Sequence, residues 1–581
     1  MKKEKTYSFM GNVAIILFAQ IMVKVLGLVY RMVITNIDGF GNTGNGFYNA
    51  GFQVYTVLLA ISSVGIPNAI AKMVSERAAL NDYRGAHNVF ISALKLFSVI
   101  GIICSVILYV GSDFIAVHIM NMDGAQYVMR ALAPSLFFVC ISSVIRGYFQ
   151  GLSDMRATSF SQMLEQVFKC GLTIIFVILT VGVMPDIMQS LTRITMFYTP
   201  SGVTPPEIMA AWANAASSAA TVISFIYLLV FYIRRKKVIT ERINNSTSDG
   251  EKASSHQLMK MILMLSIPIS LASIITAINR VVDLATITRG IEIAFTSCIP
   301  SISGARAILN PTAEQLNTAA VTLSGMLSKS DTLFNMPLAV NIAFATVLVP
   351  SISGALAKGD TKEASEKTAY SILISILIIL PCAVLYMVLS EPIYKIIYPA
   401  TPDGADLLSI MAVALVFSAL TQTITGALQG IGKVYVSDVA ILVGCAFKVV
   451  LNITLIRIPE INIYGAAISS IVCQLVAFLI NFFVLIKYIP IRITITKYIA
   501  KPLVSGIALG GTSGFVYWLM SDFLGSGYIN NLISAIIAIG FGAIVYFVFV
   551  FALHILSKDD ILLLPAGARI YGLLTKLKLY K

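Results

Sequence analysis

Fourteen long apolar stretches run through this 581-residue sequence. Each is about as long as the roughly 20 residues a helix needs to cross a bilayer. They cover about 9–34, 46–71, 88–112, 125–149, 159–184, 207–233, 257–284, 332–355, 367–389, 405–430, 436–457, 462–488, 499–521 and 530–556. In hydrocarbon every backbone N–H and C=O must be satisfied within the protein, so only helices and closed barrels span it, and runs of this length select helices. The chain is 57% apolar and 12% charged, against roughly 45–50% and 25% in soluble domains. That excludes a water-soluble multidomain enzyme, a disordered chain and a disulfide scaffold. Lys2-Lys3-Glu4-Lys5 precedes the first run as in a signal peptide. The run continues past Lys24 to about Ile34 with no small-residue cleavage pattern, so it reads as an uncleaved first span.

An even number of spans puts both termini on one side. The net charge of +13 then sorts by loop. With the termini inside, the outer connections carry only Arg193, Arg289, Arg306, Lys329, Lys395 and Arg457, and most other basic residues fall inside. The positive-inside rule places both termini in the cytoplasm, and the charge is read as facing anionic lipid rather than nucleic acid. The longest inner connection, 234–256, is polar and basic; the longest outer one is 285–331. The tail after Ser557 carries Leu573, Leu574 and Leu577 beside Lys576 and Lys578, a pattern that suits an interfacial amphipathic helix or a solvated tail equally.

The two halves repeat. At a fixed offset of 279, Ile145/Ile424, Gly147/Gly426, Gln150/Gln429, Gly151/Gly430, Phe168/Phe447 and Lys169/Lys448 are identical. A repeat of six spans keeps its orientation, which is a parallel repeat about an axis normal to the membrane. The expected architecture is an all-α polytopic membrane protein. It has two pseudo-symmetric six-helix lobes, 1–233 and 257–488, joined by the linker 234–256. Two further helices follow over 489–556, then a cytoplasmic tail over 557–581. Two such lobes enclose a cavity able to open to either side, the architecture of an alternating-access transporter.

Ionisable groups inside spans face protein or water-filled cavities. Glu165 and Lys169, four apart, are expected to pair along one helix face, as are Arg280 and Asp283, three apart. Arg130 and Arg146 are expected to snorkel from the ends of their span. Lys24 and Arg31 lie seven apart on one face of the first span, with no acidic residue in that span to neutralise them. Such a stripe suits an anionic group such as a pyrophosphate, which accepts charge-assisted hydrogen bonds. Pro67, Pro268 and Pro337 mark positions where spans can bend beside a cavity. The seven cysteines and four histidines are scattered and suggest no metal or disulfide site. GALQGIGK (426–433) lacks the Walker A spacing, and neither HExxH nor GxSxG occurs. No catalytic residue is expected, and no cofactor.

The segments KVLGLVYRMVITNIDGFGNTGNGFYNAGFQVYTVLLAISSVGIPNAIAKMVSE, RGYFQGLSDMRATSFSQMLEQVFK, NMPLAVNIAFATVLVPSISGALAKGD and LPAGARIYGLL resemble the MurJ-type lipid II flippases. The likeness is to the YtgP/SpoVB branch of the multidrug/oligosaccharidyl-lipid/polysaccharide exporter superfamily. It covers essentially the whole chain. It implies two lobes around a cationic cavity, a groove for a polyprenyl tail on the last two helices, and a lipid-linked sugar diphosphate moved outward for peptidoglycan synthesis. The family's basic pair on the first span matches Lys24 and Arg31, and its acidic position before the proline of the eighth span matches Asp331, with Pro337 following. Leu59 and Val64 stand where some members carry arginine and glutamate, and Thr332 where some carry arginine. Arg280 is expected to substitute in space.

The expected function is a flippase for an undecaprenyl-diphosphate-linked cell-wall precursor of the lipid II kind, non-enzymatic, in a bacterial cytoplasmic membrane. Lys24, Arg31 and Arg280 would bind the head group. Asp331, Asp283, Glu165, Lys169, Arg146, Pro67 and Pro337 would line or gate the cavity. Coupling to membrane potential, Na+ or H+ is open. The expected partners are the lipid substrate, membrane lipids and cell-wall synthesis machinery, with the chain itself a monomer. The alternatives are a flippase for another lipid-linked glycan (spore cortex, teichuronic acid or capsule) and a cation-coupled multidrug exporter.

Overall fold

The structure, a computed structural model, describes residues 22–23, 25–181, 205–246, 254–301, 306–357, 360–491, 494–562, 571–572 and 575–576. Lys24 lies outside the described residues, as does most of the tail beyond Leu562. Among the described residues, eleven helices are long and apolar enough to cross a membrane. Helices also lie over the expected seventh and eighth spans, and a shorter apolar helix, α1 (Val25–Thr35), lies in the first.

Two compact units divide the chain, Met1–Ser328 and Lys329–Lys581. The first unit contains α1, α2 (Gly41–Leu59), α3 (Ile66–Ala79), α4 (Tyr83–Phe114), α5 (Ala125–Gly151), α6 (Arg156–Val181), α7 (Pro206–Asn244) and α8 (Ser255–Ala294). One apolar core joins α1, α2, α5 and α7 through Tyr30, Ile34, Tyr48, Leu132 and Met209; a second joins α3, α4 and α5 through Ile70, Phe97 and Phe149. α8 packs against α2, α3 and α4. The outer face of α4 leaves Val99, Ile103, Val106 and Val110 exposed, as a helix bathed in lipid requires.

The second span is interrupted where its sequence suggests. A π-turn, Ala60–Val64, follows α2, and α3 starts after Gly65 with Pro67 in its first turn. The freed Gly65 N–H donates to Ser270 Oγ of α8 at 3.0 Å. A Cβ on Gly65 would sit 2.4 Å from the Ser266 carbonyl oxygen, so only glycine allows this approach.

A two-residue β-ribbon, β1 (Cys298–Ile299) with β2 (Ile308–Leu309), follows α8. Then α9 runs unbroken over Ala313–Ala357. The expected outer connection 285–331 is therefore largely helical. Lys329, expected in that loop, is a buried side chain within α9. α9 stays helical past Pro337.

The second unit adds α10 (Thr361–Val388), α11 (Ser390–Ile397), α12 (Ala405–Gly430), α13 (Val434–Leu455), α14 (Ile463–Tyr488), α15 (Lys501–Leu524), α16 (Tyr528–Ala552) and α17 (Lys558–Leu562). A buried polar knot ties α9, α10 and α12. Asn341 donates to the Ala419 carbonyl at 2.9 Å and accepts from Ser375 Oγ at 2.5 Å, and Thr423 Oγ1 donates to Ser375 at 3.0 Å. The chain after α16 is docked: Ile555, Leu556 and Ile561 are buried in the core that holds Ile489 and Tyr498. Asp560 caps Ser557 and pairs with Lys497 at 3.0 Å.

The sequence repeat is also a repeat of local structure. α5 and α12 start after left-handed Gly124 and Gly404. Both end in the same cap. Ser153 (φ 61°) and Gly432 (φ 79°) take left-handed backbone. Asp154 N–H returns to the Phe149 carbonyl as Lys433 N–H does to that of Leu428. None of the seven cysteines forms a disulfide in the structure.

Candidate functional site

α1, α2 and α6 bring two cations to one pair of tyrosine hydroxyls. Tyr30 Oη on α1 lies 3.0 Å from Tyr48 Oη on α2. The Arg31 guanidinium lies over the Tyr48 ring, 4.5 Å from its centroid. The Lys169 ammonium of α6 lies 5.4 Å from the Tyr30 centroid and 5.1 Å from that of Phe52. Each such contact is worth roughly 0.5–2 kcal/mol. Both tyrosines are buried, and Arg31 and Lys169 are half-buried.

Arg31 is aimed by neutral groups. Its Nη1 donates to Asn45 Oδ1 at 3.0 Å and to Ser328 Oγ at 3.2 Å. Asn45 is held by its own amide donors, which reach Thr35 Oγ1 at 2.8 Å and the Gly41 carbonyl at 2.9 Å, so its carbonyl is left to face Arg31. Ser328 reaches the site because α9 crosses α2 on glycine. A Cβ on Gly325 would be 1.8 Å from the Asn42 carbonyl oxygen, and one on Gly46 would be 2.2 Å from that of Val321.

Glu165 does not neutralise Lys169. Its carboxylate takes Arg146 Nη2 of α5 at 2.9 Å, and Arg146 also donates to Ser161 and Ser224 at 2.9 and 3.0 Å. The expected Glu165–Lys169 pair is thus replaced by a tertiary one. Arg146 does not snorkel: it is 11% exposed and bound on three sides. Arg130 likewise pairs with Asp113. Among the described residues neither Arg31 nor Lys169 has a carboxylate within ion-pairing distance. An anion entering here meets unused N–H donors on both, beside two hydroxyls, which suits phosphate oxygens.

Arg280 is exposed on α8, the helix that packs against α2. Asp283, half-buried on the same helix, accepts at its carbonyl from Thr286. Asp331 is half-buried on α9, in the second unit, where Pro337 is buried. Pro67 opens α3 beside the π-turn. Tyr30, Tyr48 and Asn45 were not read from the sequence. Their signal was the aromatic face Tyr48, Phe52 and Tyr55, spaced four and three along α2.

Residues 9–353 match the polysaccharide biosynthesis protein family. The chain belongs to this family. A MatE match covers 293–454. Among curated proteins, this family member is 22% identical to stage V sporulation protein B of Bacillus subtilis, across 97% of this chain and 99% of that protein. It is 25% identical to the lipid II flippase MurJ of the same organism, across 92% and 93%. Among solved structures it matches lipid II flippase MurJ in an inward closed conformation with a TM-score of 0.64. That match has 14% identity and covers 92% of this chain and 98% of that one. An inward-facing MATE-family multidrug transporter matches with a TM-score of 0.60, 15% identity and 82% and 98% coverage. The fold is that of an all-α polytopic membrane protein of the MurJ and MATE type. These relatives and structural neighbours include named flippases and transporters.

Proposed function

We propose that this family member is a non-enzymatic flippase for an undecaprenyl-diphosphate-linked cell-wall precursor of the lipid II kind. The observation that carries the reading is the pair of cations, Arg31 and Lys169, without carboxylate partners around the Tyr30–Tyr48 hydroxyls. They stand on helices within the membrane, where an uncompensated charge is costly and marks a ligand path. A diphosphate supplies the missing counter-charge. The polyprenyl chain stays in lipid along α15 and α16, whose outer faces carry exposed Ile507, Phe515, Trp518 and Ile544.

In this reading both termini are cytoplasmic, the head group enters from that side, and the two lobes alternate access. An inside-negative potential favours outward movement of the anion by about 2.3 kcal/mol per charge per 100 mV. The match across 97% of the chain to a protein named for sporulation favours, as a second reading, another glycan on the same diphosphate lipid. The test is complementation of a strain depleted of its lipid II flippase, read as precursor in the outer leaflet. Rescue is expected for a lipid II flippase; growth arrest with the protein expressed and inserted overturns lipid II as the cargo.

A further inference from the structure

Lys329 is the largest charged side chain fully buried in the second unit, at 1% exposure. Its ammonium donates to the Thr401 carbonyl at 2.6 Å and lies 5.3 and 5.2 Å from the ring centroids of Tyr394 and Tyr398. Among the described residues no carboxylate is within ion-pairing distance. Of three ammonium donors, one has a hydrogen-bond acceptor, and the rings supply the remaining attraction. The groups that face it are Asp403, on the loop carrying Thr401, and the two tyrosines. Asp331 and Tyr386 lie within electrostatic reach of Tyr394. Ser330, next along α9, shares a 2.6 Å hydrogen bond with Tyr394 Oη.

A neutral amine keeps N–H donors, so the Thr401 carbonyl is satisfied in either protonation state of Lys329. Burial disfavours the charged form of an amine. Lysine, unlike arginine, gives up its proton readily in such surroundings.

We propose that Lys329 is a proton-binding site, its nitrogen staying on the Thr401 carbonyl as it alternates between ammonium and neutral amine. On release the N–H bond breaks, its electron pair stays on nitrogen, and the proton passes to water. The amine keeps an N–H on the Thr401 carbonyl. The cargo is a proton, and the inference holds whichever lipid the protein carries. Its consequence is that the fit of the Tyr398–Gly404 loop on α9 depends on pH, through a group distant in sequence from Arg31 and Lys169.

The test follows the lysine 13Cε resonances of the full chain in detergent from pH 6 to pH 9. The Lys329 signal is identified as the one lost in both K329R and K329Q. It is expected to move through a one-proton transition in this range, while exposed lysines stay fixed as ammonium. A Lys329 resonance flat across the range overturns the proposal.

Discussion

Glu165 reaches Arg146 at 2.9 Å across two helices, and so leaves Lys169, one turn further along its own helix, without a carboxylate partner among the described residues. That choice of partner makes the site basic. Had Glu165 folded back onto Lys169, Arg31 alone would face an incoming anion.

Replacing Glu165 by Gln removes the charge that Arg146 needs but not the two serine hydroxyls. The pair is well shielded, at 11% and 23% side-chain exposure, and the expected loss is roughly 1–3 kcal/mol of stability. Thermal unfolding in detergent checks it. Transport per folded molecule should persist, since Lys169 is untouched.

Gly325→Ala places a methyl against the Asn42 carbonyl, which forces α9 away from α2 and withdraws Ser328 from Arg31. Overpacking of this kind costs roughly 1–3 kcal/mol. The account expects lower unfolding temperature together with weaker binding of the diphosphate head. Ser328→Ala, with no clash, should weaken binding alone.

Ser270→Ala leaves the Gly65 N–H without its acceptor at the break in the second span. A lost partner for a buried donor costs about 1–3 kcal/mol. Amide exchange should quicken at Gly65 relative to the middle of α2. Unchanged exchange would mean that the serine does not hold the break.

The chain end responds to acid. Burial pushes the Asp560 carboxyl up, but the Ser557 N–H and hydroxyl and the Lys497 ammonium outweigh it and hold the group below the usual carboxylate range. A depressed carboxyl stabilises the docked end above its unfolded value of about 3.9, and that contribution fades as pH falls through the lower folded value. Docking should be complete at pH 7 and loosen only in strong acid. Asp560→Asn should loosen it already at pH 7, seen as faster proteolysis after Leu553.

The helices were legible because a membrane span declares itself by length and composition, and thirteen of the fourteen runs coincide with long helices, while the described end of the first lies in α1. The repeat was legible as I-x-G-x-x-Q-G, but the shared cap just beyond it, at Ser153 and Gly432, was not. Partners were not. Spacing shows which groups share a helix face, so it offered Lys169 to Glu165, whereas the carboxylate found Arg146 on a neighbouring helix. Lys329 was misplaced for a related reason: α9 begins 19 residues before its apolar run, in an amphipathic stretch whose serines and threonines read as loop. Arg31 was legible, as a cation with no acid along its span, although the tyrosines that hold it were visible only once α1 met α2.

The central claim is that Arg31 and Lys169 together bind a lipid diphosphate. The most direct measurement compares binding of undecaprenyl diphosphate and undecaprenol to the purified full chain in nanodiscs, with and without R31Q/K169Q. The account predicts that the native protein prefers the diphosphate, and that the double variant, folded and inserted, loses that preference by tenfold or more. Equal preference in the two proteins would contradict it.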